Sequence, residues 1–92
     1  MRCEFRGHPV PEIRWLKNEA PIEPQKGKFQ MKQQILPNGR VRARLVINQV
    51  ETHDIGYYKC EATNSANTVE SVAVLWVRAG KNIWLSIFVN SI

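Results

Sequence analysis

The sequence predicts an all-β fold, an antiparallel sandwich or barrel. Three observations point there. Apolar and polar residues alternate with period two in several short runs. No run shows the 3.6-residue period of an amphipathic helix. Turn signals rich in Pro, Gly and Asn separate the runs at the spacing of an antiparallel β protein.

The elements follow in order. Glu12 to Lys17 reads as a short strand after the Pro-rich approach Pro9-Val10-Pro11. Asn18 to Gly27 carries Pro21, Pro24 and Gly27, so it reads as loop or irregular edge. Lys28 to Ile35 is the next strand. Pro37-Asn38-Gly39 follows, and Asn-Gly between two strand runs is a strong hairpin signal. Arg40 to Asn48 is the return strand, with Val41, Ala43, Leu45 and Ile47 on one face and Arg42, Arg44 and Val46 on the other. Gly56 to Thr63 is a strand, Asn64 to Asn67 a turn, and Thr68 to Arg78 the last long strand. The apolar tail from 80 to 92 has no evident partner. It reads as a non-native extension, as a docked edge segment or as the start of a lost continuation, set apart from a domain over 1–79.

Length and composition bound the rest. Ninety-two residues make one domain, and a core this small often needs covalent help. With 43% hydrophobic and 23% charged residues the chain has enough apolar surface to fold. The net charge of +5 favours acidic partners without naming one. Two cysteines, Cys3 and Cys60, are compatible with one disulfide or with two free thiols. His8 and His53 lie far apart and there is no CxxC, so no metal site is expected. No apolar run reaches the roughly 20 residues needed to span a bilayer, and no export signal is visible. An extracellular domain would therefore be a fragment whose signal and anchor lie elsewhere.

Cys3, Trp15 and Cys60 fall at a telling spacing. Leu45-x-Ile47-x-x-Val50 leads into Asp54-Ile55-Gly56-Tyr57-Tyr58-Lys59-Cys60, a D-x-G-x-Y-x-C run. Together these resemble the immunoglobulin superfamily, in particular its intermediate (I) set, over most of the chain. The resemblance implies an immunoglobulin-like Greek-key sandwich. It implies a disulfide between Cys3 on strand B and Cys60 on strand F, with Trp15 of strand C packed against it. Leu45 would be core, Tyr58 would form a tyrosine corner, and Gly56 would allow a tight turn. Asp54 would pair with a base, Lys28 first and Arg40 next. Strand A of the family has no counterpart before Cys3, which leaves sheet edges open to another chain.

Some stretches look like the immunoglobulin domain of Ror-type receptor tyrosine kinases: Ile13 to Pro21, Asp54 to Cys60 with Ala62-Thr63-Asn64, and Val74 to Arg78. That resemblance implies a recognition and spacing element of a Wnt-type signalling receptor. The first stretch is also similar to immunoglobulin domains of fibroblast growth factor receptors and of neural adhesion proteins.

No acid–base set, nucleophile or phosphate loop converges in the sequence, so neither catalysis nor a cofactor is expected. A protein-binding module on the outside of the plasma membrane is the leading reading, and an intracellular muscle-type spacer is the structural alternative. If Trp15, Tyr58 and Cys60 point inward, strand parity puts Leu16, Tyr57, Val74 and Trp76 outward as an apolar-aromatic patch. The tail or a neighbouring domain covering that patch is the competing reading. On the other sheet the same parity gathers Lys28, Lys32, Arg42 and Arg44, a candidate polyanion surface for heparan sulfate or simply a solvated charged face. Nucleic acid is not expected, because no stacking platform accompanies the bases.

Overall fold

A computed structural model describes residues 1–78 and the strand at 81–89, with backbone alone from residue 78 onward. Eight strands are described: β1 (Arg2–Arg6), β2 (Glu12–Lys17), β3 (Ala20–Pro21), β4 (Phe29–Leu36), β5 (Arg40–Ile47), β6 (Gly56–Thr63), β7 (Thr68–Arg78) and β8 (Lys81–Val89). They form two sheets, one of three strands in the order β1-β5-β4 and one of five in the order β3-β2-β6-β7-β8. Every pairing is antiparallel. The chain crosses between the sheets after β1, after β3 and after β5, as an immunoglobulin-like sandwich requires.

Period-two sequence becomes a two-faced strand most clearly in β5. Val41, Ala43 and Leu45 are buried while Arg42 and Arg44 are exposed. The inward residues of both sheets meet in one cluster of Cys3, Phe5, Trp15, Val41, Ala43, Leu45, Tyr58, Cys60, Ala62, Val69 and Leu75. Full burial of a side chain such as Leu45 or Leu75 contributes about 1.5–3 kcal/mol. On β4 the inward positions lose cover toward the end of the strand: Phe29 and Met31 pack on the core, but Ile35 is 69% exposed.

Asn18 and Glu19, with φ of 48° and 71°, make a two-residue turn that pairs Lys17 with Ala20. Positive φ at both central positions gives the twist that a tight hairpin needs. The segment after Asn18 thus begins as a hairpin to a short edge strand before turning irregular. Asn38 (φ 65°) and Gly39 (φ 70°) close the β4–β5 hairpin. Gly39 must be glycine twice over, because a Cβ there would also lie 2.6 Å from the Gly7 carbonyl oxygen. Asn64 Oδ1 accepts from the N–H groups of Ala66 and Asn67 at 2.9 and 3.0 Å and so orders the β6–β7 turn.

Within the apolar tail, Lys81–Val89 pairs with β7 from Arg78↔Lys81 to Ser71↔Val89, with an irregularity between Val72 and Ala73. Residues 79, 80 and 90–92 lie outside the described residues, and with them the expected domain boundary.

Candidate recognition surfaces

The inter-sheet core is built around Cys3, Cys60 and Trp15. Cys3 stands on β1 and Cys60 on β6, one from each sheet, at 6% and 0% exposure. Their side chains are in hydrogen-bond contact across the two sheets. Burial pushes the Cys60 thiol far up, and the contact with Cys3 adds to the effect. Trp15 pairs in register with Cys60 and belongs to the same buried cluster.

The corner between β5 and β6 is a polar lock. A 3₁₀ turn, Thr52–Asp54, delivers the Asp54 side chain into the protein. Its Oδ2 accepts from Lys28 Nζ at 2.6 Å and from the Glu51 N–H at 2.8 Å. Burial alone would raise the Asp54 carboxyl, but the bonds from Lys28 and Glu51 outweigh it and hold the group below the ordinary carboxylate value. Tyr58, wholly buried, donates its hydroxyl to the Asp54 carbonyl at 2.6 Å. Burial first, and the Asp54 charge second, push its pKa up to about 12. Lys17 closes the outside of the corner, donating to the His53 carbonyl at 2.7 Å.

Gly56 acts differently from its expected part as a tight turn. Its φ lies outside the left-handed region, and its reason is room: a Cβ would lie 2.8 Å from Asn18 Oδ1. That oxygen accepts from the Tyr57 N–H at 3.0 Å, so the close approach ties the β2–β3 turn to β6. Glu51, His53 and Asp54 bring one potential metal-ligand atom each within 4.8 Å of one another. The Asp54 carboxylate is already engaged there, and the Lys28 ammonium beside it repels a cation. The three groups shape the corner's charge and do not make a metal centre.

Two of the four residues expected on the outer face of the five-stranded sheet are well exposed, Tyr57 at 58% and Trp76 at 51%. Tyr57 pairs with half-buried Val74, and Trp76, two residues along β7, is its diagonal neighbour. Leu16 departs from the expectation: it is only 4% exposed. In register it lies between Pro21 and Lys59. Lys59 is held across this face by Glu19 at 2.8 Å and Glu70 at 3.3 Å, so its stem lies over the apolar strand surface. The bond from Glu19, then that from Glu70, keeps the Lys59 ammonium above its usual pKa. The aromatic surface is therefore Tyr57, Trp76 and Val74, rimmed by the Glu19–Lys59–Glu70 cluster. β8 pairs beside β7 in the plane of the sheet, and Tyr57 and Trp76 stay open.

The outer face of the three-stranded sheet is basic. Lys32, Arg42 and Arg44 are exposed there. Lys28 does not join them as a free cation, because it bonds Asp54 and, at 3.2 Å, the Gln49 carbonyl. Its long chain reaches over the sheet end to the one buried carboxylate nearby. Arg40 donates to the Pro37 carbonyl and pairs with Glu4. Arg2 does belong to this face, opposite Arg44. Sequence reasoning missed it because strand parity assigns a face but not the register between β1 and β5.

A family model for the immunoglobulin I-set domain matches residues 1–77. The chain is 37% identical over 76 residues to vascular endothelial growth factor receptor 1 of Mus musculus, covering 83% of the chain and 5% of the receptor. It is 40% identical over 76 residues to inactive tyrosine-protein kinase 7 of Gallus gallus, covering 83% of the chain and 7% of that protein. Among solved structures, the titin M3 domain is similar with a TM-score of 0.57 and 25% identity, over 80% of this chain and 74% of that one. The chain thus spans less than a tenth of the length of these receptor-type relatives.

Proposed function

Because the chain belongs to the immunoglobulin I-set family, we propose that it is a non-catalytic protein-recognition module in the outer part of a cell-surface receptor. The observation that carries this reading is the open aromatic surface of Tyr57 and Trp76 on the five-stranded sheet. Aromatic side chains beside a charged rim are what protein interfaces favour. The receptor-type relatives support the extracellular setting. Within that class the Ror-type, Wnt-linked receptor is the finer reading, with a growth factor receptor or adhesion protein beside it. The disulfide between Cys3 and Cys60 belongs to the same reading, since the two side chains already touch across the sheets.

Saturable binding of the fluorescently labelled chain to the surface of cultured cells tests the proposal. Trp76→Ala and Tyr57→Ala are each expected to weaken it by about tenfold or more, as hot-spot residues do, with near-ultraviolet ellipticity unchanged. Variants that bind like the parent, or that lose their tertiary signal, overturn the assignment of this surface.

The similarity to titin favours one other reading, an intracellular spacer. Thiol titration of the chain secreted from eukaryotic cells and purified without reductant separates the two. No titratable thiol supports the extracellular module, and two support the spacer.

A further inference from the structure

Six basic side chains and one carboxylate, Glu4, share the outward face of the β1-β5-β4 sheet. Register sorts them into rows across the strands. In one row Glu4 faces Arg42, and its carboxylate reaches Arg40 and Arg42 at 3.4 Å each. In the next, Arg2 faces Arg44, which on its other side faces Lys32. This row has three cations and no anion. All three side chains are exposed, and among the described residues none makes an ion pair or a side-chain hydrogen bond. Like charges directly opposite on a sheet, with Cβ atoms about 5 Å apart, destabilise it. The fold gains nothing from them, since any polar residue satisfies a solvent-facing strand position. The row lines a concave site of about 300 Å³ together with Arg42, Gln33 and Gln34.

We propose that this groove binds a sulfated polysaccharide. Arg2, Arg44 and Lys32 supply a line of charge across three strands, about 10 Å at the usual strand spacing, for a chain that carries repeated anionic groups. The Gln34 amide, on the same outward face beside Arg42, is placed to bond sulfate oxygens and sugar hydroxyls. A nucleic acid strand lacks the aromatic stacking surface it uses, because no aromatic residue lines the groove. A bilayer is served poorly by a concave site without an apolar side chain to insert. The site lies on the opposite sheet from Tyr57 and Trp76 and shares with the proposed function only the extracellular setting.

Titration of the full chain with a fluorescent heparin oligosaccharide at several salt concentrations tests this. The double variant Lys32→Gln/Arg44→Gln is compared with Arg14→Gln/Lys26→Gln, which removes the same charge outside the groove. The row variant is expected to lose about tenfold or more in affinity, and the slope of log K against log salt should fall by about one for each contact removed. The control should change less than about threefold on the same scale. Thermal stability of the row variant should equal or exceed the parent's, because repulsion is relieved, so the loss is not unfolding. Equal losses in both variants overturn the proposal, since net charge alone then explains binding. Row-dependent binding of equal strength to desulfated heparin, or to phosphatidylserine vesicles, overturns it as well.

Discussion

Replacing Lys28 by methionine isolates the polar lock at the β5–β6 corner. The change keeps most of the side chain's length and removes its charge. Asp54 then stays buried with one hydrogen bond, from the Glu51 N–H, instead of two. Breaking a fully buried pair from one side costs about 3–5 kcal/mol. The Lys28 side chain is 18% exposed and one donor to the carboxylate remains, so about 2–3 kcal/mol is expected here. Each kcal/mol moves Tm by about 4–8 °C in a domain of this size, which gives a fall of about 10–20 °C at pH 7. The pH dependence carries the mechanism. In the parent the folded carboxyl titrates below its unfolded value, so its stabilisation is present above the unfolded pKa. That stabilisation fades as pH falls through the lower, folded one. In the variant the Glu51 N–H still favours the carboxylate, but the bond and charge of Lys28 are gone, so the folded pKa rises above the parent's and the cost of the buried charge fades on acidification. Thermal unfolding followed by circular dichroism should show the two proteins converging below about pH 4. A Lys28→Met protein within about 0.5 kcal/mol of the parent at pH 7, or a deficit that persists unchanged into acid, would refute the reasoning.

Tyr58→Phe should cost about 1–2 kcal/mol in chemical denaturation, because it removes the hydroxyl bond to the Asp54 carbonyl and leaves that acceptor buried. Since burial raises the folded pKa to about 12, the Tyr58 contribution is present below the unfolded value near 10 and is lost as pH rises through about 12. Ultraviolet titration of phenolate in the parent and in Tyr58→Phe checks this. Gly56→Ala should destabilise by about 1–2 kcal/mol through collision with Asn18, and Asn18→Gly, which keeps the positive φ and clears the space, should recover most of the loss in the double variant. Joining Cys3 to Cys60 by oxidation should stabilise by about 4 kcal/mol in the chain-entropy treatment of a loop of this length, read as the difference in urea midpoint with and without reductant.

The sequence carries the fold in its periodicity. Val41, Ala43 and Leu45 alternate with arginines, and only a two-faced strand uses that pattern. The corner is legible for a related reason: Asp54, Gly56, Tyr58 and Cys60 alternate along one short run, so one geometry accounts for all four. What escapes the sequence is lateral. Parity puts Leu16 on the outer face, but only the register with Pro21 and Lys59 shows that this face is covered there. Parity likewise groups Lys28 with Lys32, whereas the reach of a flexible chain to a buried carboxylate takes Lys28 away. The partner of the apolar tail is not encoded by composition either, because a strand edge accepts any backbone with free N–H and C=O groups.

Among the described side chains, the outward face of one sheet is strongly basic and that of the other is nearly balanced. The basic residues of β1, β4 and β5 look one way, while on the other sheet Glu12, Glu61 and Glu70 outnumber Arg14 and Lys59. Such a particle has a preferred heading in an electric field. Within about 8 Å of a polyanionic coat, the screening distance at physiological salt, torque turns the arginines inward toward the coat. Tyr57 and Trp76 are then aimed at the open medium before any partner arrives.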